Sequence, residues 1–255
     1  MSAKPTEPNA SSHQTSSAHD SGAGSEAEIP LQQHNLFSVP IWRSSLPEMA
    51  PHVETLREWI LADWQAGKFQ RHANGYGYQT PPILYEDAML KAHPELAVLK
   101  AAFKARVDKI LRQRTNHTTY LLPESYAFMA WILVQTNEDW VNGTWHDHYP
   151  AAISGCFYLE MPETEREQEG ALAFHRPGAP DTFVEQVQYI KPKQGDFVLF
   201  PSQIVHRPQP CPSAGGIRIS INMDAFVHWR HWNEDGKPRV HPERYGMLVE
   251  NSLDP

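Results

Sequence analysis

The chain has 255 residues, 40% hydrophobic and 11% aromatic, a composition that suits one catalytic domain with a full core. Its formal charge of −8 argues against a nucleic-acid surface, which needs clustered Lys and Arg, and favours a small-molecule substrate. Cys156 and Cys211 are the only cysteines, too few for a disulfide framework and in keeping with a reducing, cytoplasmic compartment, although one bridge between them stays open.

From Met1 to Glu28 there is no Leu, Ile, Val or aromatic residue. Such a stretch buries too little surface to offset its ordering entropy, so residues 1–34 are expected to form a disordered tail. The tail lacks the basic start and apolar stretch of a secretory signal, and no apolar run in the chain reaches membrane-spanning length. His13, His19 and His34 are given no ligand role, because a metal site needs fixed geometry.

Order is expected from Leu36-Phe37, with Val39-Pro40-Ile41-Trp42 as an edge strand whose proline donates nothing to a ladder. A first helix follows: Pro51 suits its first turn, Val53, Leu56, Ile60 and Trp64 form an apolar stripe, and Gly67 stops it. A second helix after His93-Pro94 carries Leu96, Leu99, Phe103, Val107 and Ile110 on one face, with Lys100, Lys104 and Arg106 largely off it. Between the helices, Arg71 to Pro82 is rich in glycine and proline and reads as a loop over a pocket, with Tyr76 as a pocket candidate.

From Tyr126 the pattern turns to strands: Tyr126–Val134, Ala151–Met161, a segment around Val187 and Tyr189, Phe197–Phe200 and Ile217–Val227. Turn signals such as Asn142-Gly143 and Gln194-Gly195-Asp196 separate them. Short strands without intervening helices favour a β-sandwich or barrel over a parallel α/β sheet.

His146 and His148 are one residue apart, and on a strand both side chains project to one face while Asp147 points away. His206, beyond Phe200-Pro201, closes a three-histidine set that suits iron, copper, nickel and zinc alike. Arg218 and Ser220 share a face of a later alternating strand, and such a pair holds a carboxylate by a two-point ion pair and a hydroxyl hydrogen bond. The remote carboxylate of 2-oxoglutarate has that requirement, and Tyr158 lies where it can add a phenol to the same carboxylate. Trp140, Asn142 and Trp145 join Tyr76 as substrate-pocket candidates. His175 either lines the pocket or ends a strand, and the His228/His231 pair has no further ligands near it in sequence.

In this combination the chain resembles the bacterial and phage 2-oxoglutarate/Fe(II) oxygenases of the double-stranded β-helix fold. The matching pieces are Leu36-Phe37 with Pro40, the run from His146 to Pro150, Ser154-Gly155-Cys156-Phe157-Tyr158-Leu159, Gly195-Asp196 to Pro201 with His206, and Arg218-Ile219-Ser220-Ile221-Asn222. The resemblance implies a mainly β, jelly-roll or cupin-like domain over 35–228 with supporting N-terminal helices, followed by an extension over 229–255. It implies His146, His148 and His206 as ligands to Fe(II), Arg218 as the anchor of 2-oxoglutarate, and dioxygen as the oxidant. The reaction class that the resemblance implies is oxidation of a small organic substrate, usually hydroxylation, with release of succinate and carbon dioxide.

The wider superfamily places a carboxylate where His148 stands, two residues after the first histidine. Either all three histidines bind the metal or Asp147 turns inward through a bulge, and the two-residue period favours His148. Two rivals follow: a three-histidine cupin-type dioxygenase that does not use 2-oxoglutarate, and a non-catalytic metal-binding barrel. Structural zinc is usually four-coordinate, and no fourth ligand is evident in the sequence.

Overall fold

A computed structural model of the chain describes residues 31–36, 39–72, 76–83, 87–115, 123–136, 138–139, 143–177, 187–212, 215–229 and 249–251. In chain order the elements are β1 (Leu31–Leu36), β2 (Val39–Ser45), a 3₁₀ turn (Pro47–His52), α1 (Val53–Gln65), β3 (Gln70–Arg71), β4 (Tyr78–Gln79), α2 (Asp87–Ala92) and α3 (Pro94–Thr115). Then come β5 (Pro123–Gln135), β6 (Ile153–Glu160), β7 (Leu172–His175), β8 (Val187–Ile190), β9 (Asp196–Pro201), β10 (His206–Pro208), β11 (Arg218–Trp229) and β12 (Val249–Asn251). The residues from Met1 to Glu28 lie outside the described ones. β1 begins at Leu31, ahead of the start near Leu36 that composition suggests.

Among the described residues all the pairings are antiparallel, as strands without intervening helices lead one to expect. A major sheet of nine strands runs β1-β2-β9-β6-β11-β5-β4-β3, with β12 also on β5, and a minor sheet runs β10-β7-β8. β7 and β10 are additions to the strands read from sequence. The loop expected between Arg71 and Pro82 contains the short β3–β4 hairpin, whose Tyr78 and Gln79 pair with Val134 and Leu133.

Strand alternation divides the major sheet into two chemistries. On one face Phe128, Ile132, Phe157, Leu199, Ile221 and Met223 pack beneath α1 and α3 in the main core. The apolar stripe of α3 is fully buried there, Leu96, Leu99, Phe103, Val107 and Ile110 all at 0% exposure. At Gly155 an added Cβ would stand 2.8 Å from Phe197 and 3.1 Å from Phe103, so the missing side chain lets these rings press onto the sheet. The other face looks towards the minor sheet, across a smaller apolar cluster that includes Leu172, Phe174, Val198 and Phe200.

Arg106 departs from its expected place off the buried stripe, being 1% exposed. Its guanidinium donates to Glu48 at 2.6 Å, to Ser44 Oγ at 2.9 Å and to the Ser45 carbonyl at 2.8 Å, tying α3 to the end of β2. The outer edge of β5 is also covered. Thr80 N–H donates to the Ile132 carbonyl, Ile132 N–H to Thr80 Oγ and Ile83 N–H to the Ala130 carbonyl, while β12 pairs with Ser125 to Ala127. Among the described residues no helix is long and apolar enough to cross a membrane.

Candidate metal and carboxylate site

Between the two sheets lies a cavity of about 510 Å³. The odd residues Met129, Trp131 and Leu133 of β5 line it, opposite in parity to the helix-facing residues of that strand. From β11 it receives Arg218, Ser220, Asn222, Asp224 and Phe226, every second residue of the strand.

His146, His148 and His206 converge in this cavity, one ligand atom from each lying within 4.8 Å of the others. His146 stands in an isolated bridge and not in a regular strand. His146 N–H donates to the His206 carbonyl at 3.1 Å and His206 N–H returns the bond at 2.9 Å, so two of the rings are brought together by a direct backbone exchange. His148 N–H donates to the Ser202 carbonyl at 2.9 Å, which fixes the third. The ring centroids are 4.6 Å apart for His146 and His206, 4.9 Å for His148 and His206, and 5.2 Å for His146 and His148.

The hydrogen bonds around the rings decide where the lone pairs point. Nδ1 of His146 lies 2.8 Å from the Thr144 carbonyl, and Nδ1 of His206 lies 2.9 Å from the Ile204 carbonyl. A carbonyl only accepts, so each Nδ1 carries its proton and each Nε2 is left as a free donor atom for a metal. Nδ1 of His148 lies 2.8 Å from Asp224 Oδ1, which assigns the same tautomer. Burial, and then the neighbouring histidines His148 and His146, lower the His206 pKa well below its ordinary value; burial also leads the lowering at His146. These rings are held neutral, the form a metal ligand requires. Three imidazole nitrogens facing one point therefore fit a divalent transition metal. Asp147 is exposed and accepts from Tyr149 N–H at 3.2 Å; the converging atom comes from His148.

The same cavity holds a second polar group deep in its wall. Arg218 is 2% exposed, and its Nε and Nη1 make no hydrogen bond of ordinary geometry within the protein. Ser220 Oγ and Tyr158 OH are buried and likewise make no hydrogen bond of ordinary geometry, with the Cys156 thiol as a close neighbour of both. Ser220 faces Tyr158 across the β6–β11 pairing, next to a register shift, and the Arg218 guanidinium lies 5.2 Å from the Tyr158 ring centre. Burial raises the Tyr158 hydroxyl well above its usual range despite the Arg218 charge, so it is a neutral donor. A buried cation beside two buried hydroxyls forms a cradle whose donors match a carboxylate.

Of the remaining sequence candidates, Tyr76 is buried and lines the cavity, its carbonyl taking a hydrogen bond from Gln135 Nε2 at 2.8 Å. Gly77 next to it has φ +127°, and an added Cβ would meet the Val134 carbonyl at 2.6 Å, so this tight approach requires glycine. Trp145 does not line the cavity; it packs edge-on against His175 and under the Arg207 guanidinium at 4.3 Å. His175 ends β7, away from the cavity lining. Trp140, Asn142, His231 and the His228 side chain lie outside what is described. Both cysteines are free and buried, which removes the bridge left open by the sequence.

Asp224, Ser154, Trp131 and His72 are the residues sequence reading missed. The parity of β11 was the available signal for Asp224, since Arg218, Ser220, Asn222 and Asp224 necessarily share a face. Ser154 and Trp131 needed the register, and His72 needed its 3.9 Å ring contact with Tyr76.

A family match agrees with this chemistry. Residues 129–224 match the family described as "Putative 2OG-Fe(II) oxygenase", a span that contains the three histidines, Tyr158, Arg218, Ser220 and Asp224. The chain is similar in fold to the non-haem alpha-ketoglutarate-dependent carbocyclase SnoK from nogalamycin biosynthesis, with TM-score 0.51, 12% identity and coverage of 81% of this chain and 91% of that one. A prolyl hydroxylase from Trichoplax adhaerens, solved with a hypoxia-inducible-factor peptide, matches with TM-score 0.49, 14% identity and coverage of 72% and 83%. HygX from Streptomyces hygroscopicus, solved with nickel, 2-oxoglutarate and hygromycin B, matches with TM-score 0.45, 13% identity and coverage of 72% and 82%. No curated protein sequence matches the chain significantly. The fold is the double-stranded β-helix expected from the sequence.

Proposed function

We infer that this chain, a 2OG-Fe(II) oxygenase by the match of residues 129–224, oxidises a small organic substrate through a site whose residues divide between two tasks. His146, His148 and His206 hold Fe(II), and Arg218, Ser220 and Tyr158 receive the remote carboxylate of 2-oxoglutarate. The observation that carries this reading is the buried, unengaged Arg218 cradle, which shares one cavity with three free Nε2 atoms. Iron with 2-oxoglutarate and dioxygen supplies an oxidant for an unactivated C–H bond, releasing succinate and carbon dioxide.

The protein's own contribution is position and shelter. Arg218 offers two parallel N–H bonds to a carboxylate and fixes its plane, while Ser220 and Tyr158 complete the shell with hydroxyl donors. Trp131, Met129, Leu133 and Phe226 supply an apolar wall, which excludes water and suits an organic substrate. Tyr76, clamped by Gln135, closes part of the same cavity. In a three-histidine dioxygenase that ignores 2-oxoglutarate, Arg218 would be indifferent to turnover or would bind the substrate, and in a metal-binding barrel without catalysis it has no task. The working unit is the domain over residues 35–228, and the free cysteines and acidic charge favour a cytoplasmic setting with neither nucleic acid nor membrane as partner.

The test is anaerobic. Protein loaded with Fe(II) and 2-oxoglutarate is expected to develop the visible charge-transfer band of a chelated 2-oxo acid. His206→Ala abolishes the band, and Arg218→Ala shifts its appearance to much higher 2-oxoglutarate. No band with iron demonstrably bound would transfer the assignment to the three-histidine dioxygenase.

A further inference from the structure

Resting on the iron-site reading above, one buried side chain remains without a task. Asp224 is 2% exposed, lies on the cavity face of β11 and makes no ion pair with Lys or Arg among the described residues. A carboxylate in such a place is expensive unless something compensates it. Its Oδ1 lies 2.8 Å from His148 Nδ1 and accepts from Ser154 Oγ at 2.6 Å. Ser154 is wholly buried and sits directly opposite Asp224 in the β6–β11 pairing, and its Oγ also stands 3.2 Å from His148 Nδ1. The three groups make a closed triangle behind one of the three rings.

The other two rings are not treated this way. His146 and His206 each give their Nδ1 proton to a backbone carbonyl, a neutral acceptor. Of the three rings only His148, which stands where the wider superfamily has a carboxylate, is backed by a carboxyl side chain.

We propose that Asp224 is a positioning residue that returns to the metal site, through the His148 ring, the negative charge that a three-histidine ligand set lacks. A carboxylate accepting the Nδ1 proton draws that proton away from the ring and makes Nε2 a stronger, more anionic donor. Ser154 locks the rotamer of the carboxylate, so the charge stays in line with the ring. The ligand count is that of three imidazoles, while the charge approaches that of two imidazoles and one carboxylate.

The experiment titrates purified full-length protein with Co(II), read by its visible d–d absorption, and measures the Fe(III)/Fe(II) potential of the iron-loaded protein. Asp224→Asn keeps an oxygen able to accept from Nδ1 and removes the charge; Asp224→Ala removes both; Ser154→Ala releases the lock. Asp224→Ala is expected to weaken Co(II) binding by about 10- to 100-fold, the usual consequence of losing an outer partner of a ligand histidine. Asp224→Asn is expected to lose part of that affinity and to raise the potential, because the ferric state gains most from the anionic ring. Ser154→Ala follows in the same direction with a smaller effect. Should Asp224→Ala fail to fold, the near-isosteric Asn variant carries the test. An Asn variant with unchanged affinity and potential overturns the proposal, as does one whose potential stays put while affinity falls, which reduces Asp224 to packing. Failure of the unsubstituted chain to bind Co(II) overturns the iron-site reading itself, and the proposal with it.

Discussion

The two faces of the major sheet are built from the same strands and obey opposite rules. Beneath α1 and α3, Phe103, Phe128, Phe157 and Phe197 interlock with ring centres 5.6 to 6.5 Å apart, and the face is closed and apolar. On the cavity side the alternate residues include a buried guanidinium, a buried carboxylate and buried hydroxyls. One face is optimised for the folded chain by itself, whereas the other is optimised for a complex. The difference teaches where stability and function separate in this molecule: by strand parity, residue by residue.

Substitutions on the two faces should therefore move different observables, and the largest effect is expected at the histidines. His206→Ala removes a donor atom that no neighbouring described residue replaces, so calorimetric titration should find the metal site lost while circular dichroism keeps the sheet signal. On the helix side, Phe103→Ala should lower unfolding free energy by about 3–5 kcal/mol through lost burial and a residual cavity. Urea denaturation measures that loss, and 2-oxoglutarate affinity of the remaining folded protein should stay unchanged.

Arg218→Met inverts the pattern. Removing one partner of a buried, hydrogen-bonded charge pair costs about 2–5 kcal/mol of binding, so the Kd for 2-oxoglutarate should rise by one to several orders of magnitude. The ligand-free protein should melt at the same or a higher temperature, because an unengaged buried charge has been exchanged for an apolar chain of similar length. A fall in melting temperature as large as that of Phe103→Ala would break the comparison between the faces.

The pH response sharpens it further. Burial lowers the pKa of His206 and His146 in the folded state, so the unfolded chain binds more protons as pH falls through the ordinary imidazole range. Stability then rises with pH through that window and is lost in acid, starting below the unfolded-state value of about 6.5. Urea midpoints of the metal-free protein between neutral pH and mild acid should fall, and less steeply in His206→Ala. The smallest expected effect is that of Ser220→Ala, about 1 kcal/mol or roughly fivefold in the 2-oxoglutarate Kd, with no loss of stability.

Local patterns in the sequence go far here. Period-two alternation suffices to place Arg218 beside Ser220, and the apolar stripe of α3 is legible from Leu96 to Ile110. The spacing of His146 and His148 puts both rings on one side even though the backbone there is a single bridge and not a regular strand. What escaped reading depends on partners distant in sequence. Arg106 looks like a surface cation until Glu48 and Ser44 are brought to it by the turn after β2. Asp224 acquires meaning only from His148, 76 positions away in sequence. Trp145 is a pocket candidate in the sequence, yet its ring is directed to His175 and Arg207.

The outer edge of β5 carries a consequence for how the protein behaves in a crowded solution. An unpaired strand edge is a template for another chain, and a long apolar one invites aggregation. Here β4, the Thr80 and Ile83 backbone bonds and β12 share that edge between them. Of these covers, β12 is the one supplied from a part of the chain remote from the site, and it guards Ser125 to Ala127. A chain cut before Val249 would keep every group of the metal and carboxylate site and yet expose a stretch of β5 backbone to other copies. The short strand β12 thus covers backbone groups of β5 that would otherwise stand open to a strand from another chain.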